Sequence, residues 1–378
     1  MAIRIPITRP DLGDAEAGEA ARVVRSGWIT QGPEVAAFEK EFAAVVGAPH
    51  AVALANCTVA LELALRVQGV MPGDDVVTVS HSFIATANAI VAVGARPVFC
   101  DVEEATYGMD PRSLEKALTT KTKAILAVHQ VGIPCDLDGI LEVASARGIP
   151  LIEDAACAIG SQYKGARIGK PHGTMACFSL HPRKIVTTGD GGMITTANEE
   201  FAKRIRLLRQ HAMSVPDTVR HHSDRIIFEA YTEPAFNYRL TDLQAAVGRP
   251  QLVRLDAIVA ERRRLAARYI EKLASHPFLR TLKEREGSVF NWQSFPLVIE
   301  GDRSQVEVMQ AIVNAGIACK RGVSNSHQEP AYAGKEGWSA GPLPVSERMR
   351  DTTILVPLFH GMSEADQDEV IQTLFSLS

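Results

Sequence analysis

Apolar residues recur at helical spacing in EVAAFEKEFAAVVG, where Val35, Phe38, Phe42 and Val45 share one face and Gly47 can end the helix. TVALELALRVQG, just downstream of the apolar run AVALA, reads as a second helix. Short apolar runs then alternate with helix-length segments: VVTV (76–79), PVFCDV (97–102), KAILAV (123–128) and PLIED, which ends at Asp154. Strands joined in that way need crossovers, which predicts a largely parallel sheet covered on both faces. ACFSL (176–180) and GGMITT (191–196) add two further strands to it.

After Asn237 the pattern changes. TDLQAAVGRPQLVRLDAIVAERRRLAARYIEKLASH is a long helical stretch in which Pro250 predicts an interruption or kink. FNWQSFPLVIE predicts a strand, followed by a helix over 303–315, a strand over 317–320, the loop RGVSNSHQEPAY (321–332) and a last helix near 364–376. The chain therefore divides into an N-terminal arm with a large α/β domain (1–249) and a smaller C-terminal α+β domain (250–378). Residues 211–234 fit neither pattern and predict a long loop or hairpin near the site.

Composition mainly excludes. The 378 residues suffice for two domains with a sizeable core, and 46% apolar with 22% charged residues is ordinary for a soluble enzyme. A net charge of -4 gives no reason to expect nucleic acid as a partner. No run reaches the roughly 20 apolar residues of a membrane span, and the opening MAIRIPITRPDLGD lacks a signal-peptide core. Cys57, Cys100, Cys135, Cys157, Cys177 and Cys319 are scattered, with no C-x-x-C pair. That spacing suits neither a metal site nor a disulfide framework and predicts reduced thiols in a cytoplasmic protein.

Four features fall at predicted strand ends or helix starts, where open parallel sheets bind ligands. Asn56-Cys57-Thr58 opens a helix, so its amides, the Thr58 hydroxyl and the helix dipole can hold a phosphate; alone it is also an ordinary N-cap. Glu153-Asp154 closes a strand, where a carboxylate can keep a pyridine nitrogen protonated, or simply cap the strand or bind Mg²⁺. Ser179 and Lys184 lie in SLHPRK, just before the Gly-rich TTGDGG; a lysine there can form an imine if cationic neighbours or burial lower its pKa, whereas most lysines are simply solvated. Phe83 in SHSFIATANAI can stack on a planar heterocycle or fill core. Together they supply what pyridoxal 5′-phosphate (PLP) requires: a phosphate cradle, a stacking ring, an acid for the ring nitrogen and an amine for the aldehyde.

With those residues in place, the sequence resembles the DegT-type aminotransferases of nucleotide-linked keto sugars, which are fold-type-I PLP enzymes. The resemblance runs through SGWITQGPEVAAFEKEFAAVVG (26–47), NCTVALELAL (56–65), SFIATANAI (82–90), IEDAACAIGS (152–161), SLHPRKIVTTGDGGMITT (179–196) and FNYRLTDLQAAVGRPQL (236–252). It implies a PLP Schiff base on Lys184, Asp154 on the pyridine nitrogen and Phe83 against the ring. Cys57 (by its backbone), Thr58 and Ser179 would hold the phosphate, and Asn237 would reach it from the other subunit of a homodimer, with Arg239 a lesser contributor. His129 and His181 would lie near the substrate. The implied reaction is ping-pong: an amino-acid donor, L-glutamate, leaves pyridoxamine 5′-phosphate, which then aminates the keto sugar.

Two positions depart from the family pattern. Cys57 stands where relatives often carry Gly, so the phosphate turn must accept a β-carbon. Cys157 stands where they often carry Gln or His near the cofactor's ring hydroxyl, leaving only a weak thiol contact. Among alternatives, a sugar dehydratase of the same family would carry His in place of Lys184, and a silent PLP-binding protein would have lost Lys184 or Asp154. A same-fold enzyme acting on a non-sugar ketone such as a cyclitol stays open. The sugar, its nucleotide and the carbon aminated depend on the pocket, including residues 211–234 and 321–332.

Overall fold

The computed structural model describes residues 2–215, 220 and 223–377. Its first strands are β1 (His50–Leu54), β2 (Asp75–Val79), β3 (Arg96–Cys100), β4 (Thr122–Val128) and β5 (Leu151–Asp154). A short ribbon, β6 (Gln162–Tyr163) and β7 (Ala166–Arg167), precedes β8 (Met175–Ser179) and β9 (Gly192–Thr196). The large sheet has seven strands in the order β1-β9-β8-β5-β4-β2-β3. Only β9 runs against its neighbours, and the pairs from β3 through β8 are all parallel.

Burial on both faces explains the near-continuous apolar strands. Side chains alternate between two cores. Ala51, Ala53, Val77, Ile125 and Ala127 pack beneath the helix Pro33–Val46 on one face. Val52, Leu54, Val76, Ala124 and Leu126 pack beneath helices Cys57–Val67 and Glu199–Leu208 on the other. In Pro33–Val46 the inward stripe is Val35, Phe38, Phe42 and Val46, so Val46 takes the place predicted for Val45, and Gly47 ends the helix at φ 77. Phe42 meets Phe178 of β8 edge-on at 5.1 Å.

The second core surrounds β10 (Leu279–Thr281), β12 (Phe295–Ile299), β13 (Lys320–Arg321) and β14 (Thr353–Val356), an antiparallel sheet ordered β10-β12-β14-β13; the short β11 (Ser288–Val289) instead joins the β6–β7 ribbon. Helices Gln305–Asn314, Pro344–Thr352 and Glu364–Phe375 accompany it. The strand predicted over 317–320 is confined to Lys320–Arg321, while Ile317 forms a bridge with Ile5 of the N-terminal arm.

Pro250 does not interrupt the helix, which runs unbroken from Asp242 to Lys272. Proline withholds one backbone donor, and the next residue, Gln251, anchors the turn by donating to the Val247 and Thr187 carbonyls at 2.7 Å each. Leu252, Leu255 and Ile258 of this helix belong to the large core, and Leu265 and Tyr269 to the smaller one, so the expected start of the second domain falls inside an element that serves both. Of residues 211–234, the described part includes a hairpin stem, with Ser214 N–H donating to Ala230 O and Thr232 N–H to Ala212 O; positions 216–219, 221 and 222 lie outside the described residues.

Phe42→Ala should lower stability by about 3–5 kcal/mol through lost burial and the cavity left behind, read as an earlier urea-unfolding midpoint. A change under about 1 kcal/mol would show that this face of the sheet repacks freely.

Candidate active site

The pleat separates two neighbouring acids at the carboxyl end of β5. Glu153 turns to the first face, fully buried, where it accepts hydrogen bonds from His129 Nε2 at 2.9 Å and from the amides of His172 and Gly173 at 3.3 and 3.1 Å. Burial works against its charge, but His129 and His172 outweigh burial and hold its pKa well below the usual range. Burial also opposes a charged His129, while Cys135 and Glu153 favour one. Geometry decides for the neutral ring: the Cys135 amide donates to Nδ1 at 3.2 Å, the only nitrogen left to take a second proton.

Asp154 turns to the other face. Its Oδ2 accepts from the Thr86 hydroxyl at 2.8 Å and its Oδ1 from the Ala156 amide at 3.1 Å. Ser82 Oγ lies 2.7 Å from Thr86 Oγ1 and extends the network. Among the described residues Asp154 makes no ion pair. Burial raises its pKa above the ordinary aspartate value, against the two hydrogen bonds and the more distant Lys184.

Asp154 lies in a cavity of about 310 Å³ bounded by the ends of β4, β5 and β8. Cys57, Thr58, Phe83, His129, Cys157, Ser179, His181 and Lys184 line the same space. Asn56 caps the helix Cys57–Val67 by accepting from Val59 N at 3.0 Å, leaving the Cys57 and Thr58 amides without an intrahelical partner. Gly192 lets β9 cross directly over this helix start, since a β-carbon there would collide with the Asn56 carbonyl and the Cys57 nitrogen. Phe83 is 72% exposed on the cavity wall, an apolar ring surface with nothing over it.

Lys184 sits in the turn between β8 and β9, its amide bonded to His181 O at 2.8 Å and its Nζ 3.0 Å from Cys157 Sγ. Burial disfavours its charge, yet Cys157, Cys57 and Asp154 favour it, and the pKa lies above the ordinary lysine value. Of the two influences expected to lower it, burial does act that way and is the largest single effect. The thiols and Asp154 stand where cationic neighbours were expected, and they offset it. Cys57 is itself buried with its thiol pushed well above its usual value, so Asp154 is the standing anion of the group.

Sequence reasoning passed over several contributors. Thr86 and Ser82 stand in the quoted SHSFIATANAI but reveal their role only through Asp154. Asn291 donates to the Cys157 and Ile159 carbonyls at 2.8 Å each, and Gln293 donates to Arg183 O at 2.6 Å. Between them Trp292 adopts φ 51, so Phe290–Gln293 forms a strained loop in the stretch predicted as strand. Gly132, at φ 92, makes room for Asn291. Asn237 does not line the cavity of its own chain; it bridges Gln210 and accepts from Arg239 N at 3.3 Å.

Residues 10–375 match the model of the DegT/DnrJ/EryC1/StrS aminotransferase family. The chain belongs to that family. It is a PLP-dependent aminotransferase. The spore coat polysaccharide biosynthesis protein SpsC of Bacillus subtilis (strain 168) is 38% identical over 374 residues, covering 98% of this chain and 96% of SpsC. The structure of the aminotransferase TlmJ from Streptoalloteichus hindustanus superposes with a TM-score of 0.90 at 33% identity, over 98% of both chains. Spr1654 of Streptococcus pneumoniae, described as a sugar aminotransferase in its PMP form, gives a TM-score of 0.92 at 30% identity over 99% of both chains.

The residues of this aminotransferase fit PLP. The buried Asp154 carboxylate has no cation of its own, a helix start presents free amides, an aromatic face stands bare, and a lysine amine closes the cavity. A carboxyl group whose pKa is raised by folding holds its proton more readily when folded, so the folded state loses stability as pH rises through that window. The cofactor-free Asp154→Asn protein should therefore melt higher than cofactor-free wild type at about pH 7, the difference fading toward about pH 3, below the ordinary carboxylate range. Equal melting temperatures at pH 7 would show that the carboxylate is not strained there.

Proposed function

We propose that this aminotransferase moves an amino group from an amino acid, L-glutamate, to a keto group of a nucleotide-linked sugar in a ping-pong cycle. The observation that carries the reading is the convergence of Lys184, Asp154, Phe83 and a helix start on one cavity. The name of SpsC, which refers to polysaccharide biosynthesis, and the description of Spr1654 as a sugar aminotransferase support a sugar acceptor.

PLP, when bound, supplies a carbonyl that condenses with amines and a ring that takes up electrons. Asp154 would accept the hydrogen bond of the ring nitrogen and keep it protonated, a charge-assisted contact for a carboxylate that makes no ion pair among the described residues. Phe83 covers the ring. The Cys57 and Thr58 amides, the Thr58 hydroxyl and Ser179 hold the phosphate. Cys157 lies beside the lysine and offers the cofactor only a weak thiol contact. Lys184 Nζ, the amine that closes the cavity, would take and return the proton at the carbon that loses or gains the nitrogen.

The working unit is a homodimer in which Asn237 completes the partner's phosphate site. Asn237 is exposed and sits beside Phe236 (57% exposed), near a hairpin that presents Ile226, Phe228 and Tyr231 (87, 91 and 61% exposed). Apolar surface of that kind calls for a cover, and a second copy supplies one symmetrically. The six unpaired cysteines suit the reducing cytoplasm.

Borohydride treatment of the purified yellow protein should bleach it and fix the pyridoxyl group to Lys184. Peptide mapping that finds the label on another lysine overturns the assignment, as does ordinary turnover by Lys184→Ala. For the dimer, Lys184→Ala and Asn237→Ala chains are unfolded, mixed and refolded. A shared site predicts activity well above either parent, because one site of each mixed dimer collects both intact residues. No recovery, with mixed dimers confirmed by mass spectrometry, rules out the shared site.

A further inference from the structure

Beyond Lys184 the cofactor cavity opens into a larger space of about 600 Å³ between the two sheets. Arg183 and Lys184 border both spaces, whereas Lys320 and Arg321 of β13 border only the outer one. None of the residues lining this outer space is acidic, although the whole chain carries 44 Asp and Glu against 40 Lys and Arg. A cavity walled by one sign of charge concentrates ligands of the other sign.

The cations there lack intramolecular partners of their own. Among the described residues neither Arg183 nor Lys320 forms an ion pair, and Arg321 reaches Glu329 only at 3.9 Å. Burial, and then Arg183, lower the Lys320 pKa, so the fold brings like charges together without a counter-ion. A second feature points into the same space. Gln293 is 7% exposed and lines it; donation of its Nε2 to Arg183 O fixes which end is the amide nitrogen, and its Oε1 has no partner among the described residues. Besides the Lys184 amine, the wall thus offers three cations and one buried acceptor, which suits an oxyanion attached to a group bearing N–H or O–H donors.

We infer that Lys320 and Arg321, assisted by Arg183, bind the diphosphate of the nucleotide-linked acceptor, with Gln293 Oε1 accepting from the acceptor's donor groups. The inference rests on the acceptor reading above. An amino acid's α-carboxylate is one bond from the carbon that reacts at Lys184, which keeps it close to that amine. A ligand that engages β13 must extend across the outer space, as a sugar diphosphate does.

The test uses the holoenzyme and two probes, inorganic pyrophosphate and UDP, followed by calorimetry. Wild type should bind both, more weakly as salt rises. Lys320→Ala/Arg321→Ala should lose about ten- to hundredfold in affinity, and Arg321→Lys should keep most of it. With turnover as readout, the double variant should raise the acceptor KM by a similar factor while the KM for glutamate stays within about twofold. Unchanged pyrophosphate affinity in the double variant overturns the site, and so does a rise confined to the glutamate KM. If wild type aminates no nucleotide-linked keto sugar, yet binds pyrophosphate through Lys320 and Arg321, the anion site stands and the acceptor reading falls.

Discussion

A carboxylate buried without a cation is among the most costly groups a fold can hold, and Asp154 is one. The two hydrogen bonds it receives, from Thr86 and Ala156, make the arrangement tolerable without neutralising the charge. Everything around it follows from that demand. The carboxylate needs a rigid mount, which a strand in the middle of a seven-stranded sheet provides. The low-dielectric walls, supplied by the two cores that clamp the sheet, are what make its charge costly. No positive partner contacts it among the described residues: the nearest lysine of the cavity, Lys184, places its amine on Cys157 Sγ. The charge therefore stands uncompensated at the end of β5, facing a cavity in which a cationic ring would satisfy it.

The period of the strand sorts the neighbouring acid into a different task. Glu153, one residue earlier, faces the opposite core, where His129 and the His172 and Gly173 amides satisfy it. The two carboxylates are chemically alike and differ only in which face receives them. One is saturated with donors and locks the crossing from β4 to β5; the other is left short of charge compensation and faces a cavity. This division explains why His129, though it borders the cavity, is committed through both ring nitrogens and serves to hold the strand ends in register.

What the chain reveals before folding is set by how local each signal is. Crossover-linked apolar strands, the glycine that ends Pro33–Val46 and the lysine before TTGDGG are local, and they were legible together with the family. Glu153 and Asp154 could be flagged as a pair but not told apart, because alternation does not say which core holds the cofactor. Thr86 became meaningful only when helix Ala85–Ala92 met β5. Pro250 does not end the helix, because helix-breaking is a local tendency and packing against both cores overrides it. Phe290–Gln293 misled for the converse reason. Its apolar residues suggest a strand, while its conformation is dictated by distant carbonyls at Cys157, Ile159 and Arg183.

Those carbonyls show why the smaller sheet belongs to the active site. Arg262, buried in the long helix, donates to the carbonyls of Trp292, Gln293 and Leu358 at 2.8–3.0 Å, and burial lowers its pKa to about 10. It fixes the loop from below while Asn291 and Gln293 fix the cofactor turn from above. A continuous chain of hydrogen bonds thus runs from the helix shared by both cores to the backbone beside Cys157 and Lys184. Because β12 and β14 hang from the same loop and helix, β13 and its two cations are set at a defined position across the outer cavity. The position of a charge that can recognise the far end of a substrate is thereby tied, through rigid backbone contacts, to the position of the amine that acts on its near end. Chemistry and selectivity can then diverge through residues on β13 and the following loop without disturbing Asp154 or Lys184.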